Sequence, residues 1–258
     1  SFYTGSLVSP YVRILVEQGR YVEAEQLARA GIDIYRHVGT PDDSASVYAL
    51  RSDLGVILVA QGRYVQALTE FNAMRDALAS LPVLQSKLAR GNLYWALALI
   101  ERGDAAEARA MLDGLLEASR LWLGAGHADS AILQAARGMA FARTGRREAA
   151  LKDFRGAFPA LISVALSQGD EPSQLKTQVL GKLLEAYLLL LGEVHATSVE
   201  QRAKIETAGE AFRIADLLRG QSTQQAVVAA ATRAAATDPL IGKEIRKGQD
   251  LQQEISAL

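Results

Sequence analysis

Apolar residues recur at helical spacing along most of this chain, and glycines interrupt the pattern at regular intervals. The best-defined stretch lies on either side of Gly62, and its apolar positions are Leu54, Leu58, Ala67 and Phe71. Residues three or four apart share one face of a helix, so the pattern predicts two amphipathic helices joined by a tight turn. We expect the first helix over about residues 44–60 and the second over about residues 64–81, with Gly62 left-handed between them.

The same turn occurs four times. Its copies read Gly-Arg-Tyr-Val-Glu-Ala, Gly-Arg-Tyr-Val-Gln-Ala, Gly-Asp-Ala-Ala-Glu-Ala and Gly-Arg-Arg-Glu-Ala-Ala, and they begin at Gly19, Gly62, Gly103 and Gly145. Helix pairs repeated at this regular interval predict a stacked array, in which each pair packs on its neighbours, rather than one globular core. The pattern predicts a fifth helix pair, which lacks this turn sequence. Leu180 and Leu184 fall in its first helix, residues 205–218 form its second, and an irregular link spans residues 192–198.

Composition narrows the range of functions. The net charge is −1, so no overall field attracts nucleic acid, and we expect no nucleic-acid partner. The absence of cysteine removes disulfides and thiolate catalysis. No apolar run of about 18 residues is present, so we expect a soluble protein without membrane insertion. The chain begins without methionine and stops inside a helical pattern, which we interpret as a piece of a longer protein.

The order of small, large, glycine, aromatic and alanine positions around each turn resembles the tetratricopeptide repeat. The period is longer than the usual value of about 34 residues, and in this it is similar to the long-helix repeats of kinesin light chains and bacterial scaffold proteins. The run Leu-Gly-Ala-Gly-His-Ala-Asp-Ser-Ala from Leu123 to Ala131 is similar to their inter-repeat loop, with Ala128 in place of proline. The resemblance implies an all-α fold: a right-handed α-solenoid of about five helix pairs over residues 1–220.

The last segment has a different composition. Residues 224–236 are almost all alanine, valine and small polar residues, and residues 240–258 follow the pattern of an amphipathic helix. We expect residues 221–258 to be a helical extension that links the array to a downstream domain. Residues 211–220 and 246–255 resemble the stretch before the caspase-like CHAT domain of bacterial repeat proteins. That resemblance implies the regulatory or recognition arm of a larger bacterial protein, with the histidine–cysteine protease dyad downstream. The compartment stays open between the bacterial cytoplasm and the periplasm.

In tetratricopeptide arrays the first helix of each pair lines a concave groove. The resemblance therefore assigns to this groove a set of partner-binding residues, which are Ser52, Val56, Arg90, Leu93, Leu97, Ile132, Ala135 and Met139. Most of these side chains are apolar, and we expect Leu97 to be exposed when no partner is bound. An apolar groove predicts a protein or peptide partner, for which a downstream domain of the same protein would also qualify. Two other interpretations remain open: the alanine-rich tail fills the groove, or narrow packing leaves no groove.

Other functions have less support from the sequence. The alternative is a peptide-sensing receptor of the bacterial regulator type, whose groove would be polar and rich in asparagine. An enzyme would need clustered titratable groups, whereas His37, His127 and His195 stand far apart in the chain. No glycine-rich phosphate loop follows a predicted strand. We therefore expect no catalytic residue, no metal site and no cofactor, and we interpret His127 as a cap of the helix that follows it.

Overall fold

A computed structural model describes residues 8–77, 91–124, 126–166 and 173–220. Within these residues the secondary structure consists of eleven α-helices, without a β-strand. The predicted all-α class is therefore confirmed. None of the helices in the described part of the chain is long and apolar enough to cross a membrane.

The first eight helices form four pairs. The pairs are α1 (Val8–Glu17) with α2 (Tyr21–His37), α3 (Ala45–Ala60) with α4 (Tyr64–Ala77), α5 (Leu93–Arg102) with α6 (Ala105–Leu123), and α7 (Ala128–Arg143) with α8 (Arg147–Leu166). Within a pair the two helices pack on each other, and each pair packs on the next one along the chain. This nearest-neighbour packing is the arrangement of a helical solenoid, as expected.

The four turns end their first helices in the same way. In each turn the backbone N–H after the glycine donates to the carbonyl five residues earlier, as Arg63 does to Leu58 at 2.8 Å. This bond defines a Schellman motif, which requires a left-handed residue just before the donor. Gly62 has φ 74°, and the glycines at 19, 103 and 145 also have positive φ. The predicted turns are confirmed.

Glycine also allows the two helices of a pair to approach closely. A Cβ added to Gly55 in α3 would lie 2.4 Å from Cε1 of Phe71 in α4. A Cβ added to Gly138 in α7 would lie 3.1 Å from Cδ2 of Phe154 in α8. Both phenylalanines are fully buried and lie nine residues after their turn glycines. The second and fourth pairs thus use the same glycine–phenylalanine contact.

The pattern changes after the fourth pair. Three helices follow: α9 (Gln174–Val194), α10 (Ser198–Ala203) and α11 over residues 207–220. Both helices of the predicted fifth pair are present as α9 and α11, but α9 extends to Val194 and the connection contains a short helix, α10, that was not predicted. Ala196 and Lys204 have φ values of 58° and 50° and interrupt the backbone on either side of α10. Neither residue is a glycine, so the sequence carried no turn signal there.

The chain divides into two compact units, Ser1–Phe212 and Arg213–Leu258. In the second unit the described residues, 213–220, are helical. The predicted alanine-rich and amphipathic helices over residues 221–258 lie outside the described residues, as does Arg90. The domain boundary expected after residue 220 and the right-handed twist of the array remain predictions.

Candidate partner-binding face

The first helices of the four pairs, α1, α3, α5 and α7, lie side by side and form what we call the A face. Side-chain caps set the start of three of them. The Ser44 hydroxyl accepts from the Val47 amide at 3.3 Å. The side-chain oxygen of Asn92 accepts from the Trp95 amide at 2.9 Å. The His127 ring accepts from the backbone amide two residues later at 3.2 Å, which confirms its predicted capping role.

The predicted partner-binding residues fall into two groups by burial. Those that are half-buried are Ser52, Val56, Leu93 and Ile132. Those that are buried are Leu97, Ala135 and Met139, with exposed fractions of 1%, 0% and 2%. Leu93 and Ile132 lie near the starts of α5 and α7, whereas Leu97 and Met139 lie one and two turns later. The expectation that Leu97 is exposed in the free chain is therefore wrong.

Helix α9 crosses the A face along the side that carries the turns. It packs against α7 and α8 and also reaches α1. Lys182, near its middle, donates to the Glu101 carboxylate at 2.8 Å and to the Tyr64 hydroxyl at 3.0 Å. Gln174, at its first residue, lies so close to Gly19 that a Cβ on that glycine would overlap its side chain. One helix thus touches the turn regions of the first three pairs as well as the fourth pair.

The position of Glu101 relates α9 to the buried part of the A face. Glu101 lies one helical turn after Leu97 on α5, and residues four apart share a face. The Lys182 ion pair therefore lies at the turn end of α5, one turn from Leu97. Leu97 is buried on a helix that packs against α3, α4, α6 and α7. Helix α9 packs on α7, which carries Ala135 and Met139. The sequence left three interpretations open, namely a bound partner, the alanine-rich tail in the groove, or narrow packing without a groove, whereas α9 was expected only as the first helix of a fifth pair.

The C-terminal half of α9 packs on α8, as the next helix of an array would. The Tyr187 ring stacks on Phe154 with centroids 4.7 Å apart and planes 6° apart, and it meets Phe158 edge-on at 5.7 Å. Its hydroxyl donates to Glu210 at 2.6 Å. Tyr187 is 1% exposed. Stacked, buried aromatic pairs of this kind anchor one element firmly to another.

The Lys182 ammonium occupies a cation site formed by residues of the second and third pairs. It lies 5.2 Å from the centroid of the Tyr64 ring, within the range of a cation–π contact. Burial alone lowers the pKa of Lys182, but the hydrogen bonds to Glu101 and Tyr64 outweigh it, so the pKa is raised. The Glu101 side chain is only 18% exposed, and Arg143 approaches it at 4.0 Å. The pair is therefore less screened by solvent than an open surface ion pair.

Sequence reasoning did not identify this cation site. The available signal was Lys182 itself, the single cation in the otherwise mainly apolar run of residues 179–191. A lysine there needs either solvent or a partner, but nothing in the run indicates which residue the partner is.

The three histidines lie in separate local environments. His37 Nδ1 is 2.8 Å from the carbonyl of Asp33, and His195 Nδ1 is 2.8 Å from the Thr207 hydroxyl, while His127 caps α7. Among the residues that the structure describes, no group of three or more histidine, aspartate or glutamate residues could hold a metal ion. His37 and His127 thus stabilise helix ends, and His195 stabilises the connection between α9 and α11. These are ordinary structural uses of histidine.

The family model for the tetratricopeptide repeat matches residues 9–30, 48–72 and 88–113. These ranges coincide with the first three helix pairs. The matches support a tetratricopeptide-repeat protein. The fourth pair, outside the matched ranges, has the Schellman turn of all three matched pairs and the glycine–phenylalanine contact of the second pair. No curated protein matches the chain significantly.

These repeats support a protein–protein interaction scaffold, and all-helical folds of this type are typically not catalytic. The A face is therefore the first surface to consider for binding. The long-repeat subtype resembling kinesin light chains remains a prediction.

Proposed function

We propose that this chain is a protein-binding scaffold in which part of the A face receives an apolar helix or peptide of a partner. The part in question, called here the open strip, consists of Ser52, Val56, Leu93 and Ile132. The single observation that carries the proposal is the difference in burial along the A face. These four side chains keep exposed surface, whereas Leu97 and Met139 have almost none. Three of the four are apolar and lie on neighbouring helices, which favours contact with an apolar partner.

The size of the strip agrees with reversible binding. Covering about 200 Å² of apolar surface there contributes about 5 kcal/mol before the costs of association. Those costs are several kcal/mol, so additional contacts outside the strip are needed for tight binding. We therefore expect a partner that reaches beyond the strip, such as a folded domain that presents one apolar helix.

The test compares charged substitutions inside and outside the strip. Leu93→Glu and Ile132→Glu each place a carboxylate on a half-buried position, so the free chain should keep its helical circular dichroism. A partner captured by the wild-type chain, then purified and titrated by calorimetry, should bind these variants at least about tenfold more weakly, because a desolvated charge opposes the contact. The matched control is Val65→Glu, on α4, where the side chain is 57% exposed. Equal affinity of the strip variants and the control would refute the assignment.

We further propose that the scaffold is the regulatory arm of a larger protein that carries a caspase-like CHAT domain. The support is the resemblance of residues 211–220 and 246–255 to the segment before such domains. The downstream domain of the same protein is then the first partner to test on the open strip. The reading frame after Leu258 should encode a histidine–cysteine pair, and its protease activity should change when residues 1–220 are deleted. A reading frame without that pair would exclude this role and leave the scaffold function untouched.

A further inference from the structure

We infer that two copies of this chain form a symmetric dimer through an apolar surface on the first helix pair. This surface, called here the end face, consists of Tyr11 and Ile14 on α1 and of Ile34 and Val38 on α2. The four side chains are 52%, 51%, 57% and 67% exposed, respectively. The inference goes beyond the proposed function, because it concerns residues outside the open strip and is tested without a partner.

The register of the repeat shows what the position of Tyr11 contacts in the other pairs. Tyr11 lies eight residues before its turn glycine, as Trp95 does in the third pair. Trp95 is 1% exposed and stacks on Phe71 of the preceding pair, with centroids 5.3 Å apart. Arg137 has the same position in the fourth pair and donates to Asp113 of the preceding pair at 3.0 Å. This position therefore faces the preceding pair.

The position of Ile14 is also buried in the other pairs. It lies five residues before the turn glycine, where the second, third and fourth pairs have Ile57, Ala98 and Ala140, all with 0% exposure. In the first pair both α1 positions are about half exposed, and within the described residues no helix pair precedes α1. The exposed surface of α1 is thus one that the array buries between neighbouring pairs.

The α2 residues of the end face also point away from the rest of the array. Glu25 pairs with Arg63 at the turn of the second pair, which marks the side of α2 that faces this pair. Ile34 lies nine residues after Glu25, and this spacing of about two and a half helical turns places it on the opposite side. Val38, at the C-cap four residues later, shares that side with Ile34. The end face therefore extends over both helices of the first pair.

The charged residues near the end face have partners within the same chain. Arg13 on α1 pairs with Asp53 of α3 at 3.1 Å. Glu23, about three turns before Ile34 on the same side of α2, accepts from Arg20 at 2.8 Å. The end face itself is uncharged, so it offers no charge pattern that would select a different protein. An uncharged apolar surface is instead complementary to a second copy of itself.

The size of the end face agrees with a weak dimer. Its four side chains, each about half exposed, leave roughly 350 Å² of apolar surface on each copy. Together with the polar atoms around them, two copies bury about 1,200 Å² in total, which is the lower limit of stable interfaces. We therefore expect a Kd on the order of 10 μM. The association stops at two copies, because a two-fold contact uses the end face of each copy once.

Sedimentation velocity of the full chain at about 1–200 μM tests the dimer, since this range brackets the expected Kd. The mean mass should rise from that of one copy toward that of two. Tyr11→Glu and Ile34→Glu, one on each helix, should each weaken association at least about tenfold, because the contact would desolvate the carboxylate. Both positions are half exposed in the free chain, so the helical circular dichroism should be unchanged.

The matched control is Val22→Glu, in the same helix pair. Val22 is 66% exposed, and Val65 at the equivalent position of the second pair is 57% exposed although that pair has neighbours on both sides. This position therefore lies outside the contacts between pairs. Val22→Glu should dimerise like the wild type.

A mixing experiment separates a symmetric dimer from head-to-tail stacking. Fluorescently labelled Tyr11→Glu in excess wild-type chain should stay monomeric, because a two-fold contact needs an intact end face on both copies. In head-to-tail stacking the variant would still bind the wild type through its other contact surface. A wild-type chain that stays monomeric, a dimer that either end-face variant leaves unchanged, equal weakening by Val22→Glu, or association of the labelled variant would each overturn the inference. These variants leave the open strip intact, so failure here is distinguishable from failure of the scaffold proposal.

Discussion

The contact between Gly55 and Phe71 predicts that one added methyl group destabilises the second helix pair. In Gly55→Ala the new carbon would lie 2.4 Å from Cε1 and 2.5 Å from Cζ of Phe71. Carbon atoms in proteins pack at about 3.5–4.0 Å, so the ring has to move by more than about 1 Å. Phe71 has 0% exposure and stacks on the buried Trp95, with centroids 5.3 Å apart and planes 10° apart. The displacement therefore passes into the third helix pair.

Two opposing effects set the magnitude. Alanine stabilises a helix interior by about 1 kcal/mol relative to glycine. Overpacking a filled core costs about 1–3 kcal/mol, and the required ring movement places this site at the upper end of that range. We expect a net loss of about 1–2 kcal/mol in the free energy of unfolding. For a chain of this size that corresponds to a Tm lower by about 2–8 °C.

The matched control is Gly114→Ala on α6. Gly114 is exposed, and a Cβ there would meet nothing within 4 Å. The same substitution should therefore raise the free energy of unfolding by about 0.5–1 kcal/mol. Urea unfolding followed by far-ultraviolet circular dichroism measures both variants under identical conditions. If Gly55→Ala proved as stable as Gly114→Ala, the close approach of α3 and α4 would not be the reason for a glycine at residue 55.

Two further predictions concern buried charges. Arg137 donates to Asp153 at 2.7 and 2.8 Å and to Asp113 at 3.0 Å, and the side chains of these carboxylates are 6% and 40% exposed. Asp153→Asn should cost about 2–3 kcal/mol and Asp113→Asn less than about 1 kcal/mol in urea unfolding, and equal losses would contradict this dependence on burial. Burial raises the pKa of Asp53 from 3.8, against the opposing effect of its hydrogen-bond partners. A carboxyl group whose pKa is raised on folding stabilises fully below its ordinary pKa and loses that stability as the pH rises through the folded value. The melting temperature of Asp53→Asn relative to wild type should therefore increase between about pH 3.5 and 7, and a constant difference would contradict this prediction.

The helix pairs and their turns could be predicted because they depend on neighbouring residues. Each turn needs one residue in the left-handed region, and Gly62 meets that need within a six-residue hydrogen-bonded loop. Periodic apolar positions on either side define the two helices that the loop joins. The connection around α10 could not be predicted in the same way. Its left-handed residues, Ala196 and Lys204, have side chains that do not favour that conformation. The Glu200 carboxylate accepts from the Ala196 amide and from the Thr207 hydroxyl and so holds the connection together.

Counting back from the turn glycines assigned the predicted partner-binding residues to α3, α5 and α7, because helix register follows from the position of the turn. Their role in binding stays a prediction. Their accessibility could not be derived this way. Leu93 and Leu97 are both leucines on one helix, one turn apart, yet Leu93 is half-buried and Leu97 is 1% exposed.

By itself the sequence determined the repeat, the helix pairs and the turns, since all of these depend on spacings of a few residues. The tertiary structure decided how far each side chain of the A face is buried, because the covering residues come from the neighbouring helix pairs and from α9. Lys182 meets Tyr64 across 118 residues of chain, and a contact between such distant residues depends on how the pairs stack in space. Local propensity sets the elements, whereas burial is a property of the assembled array.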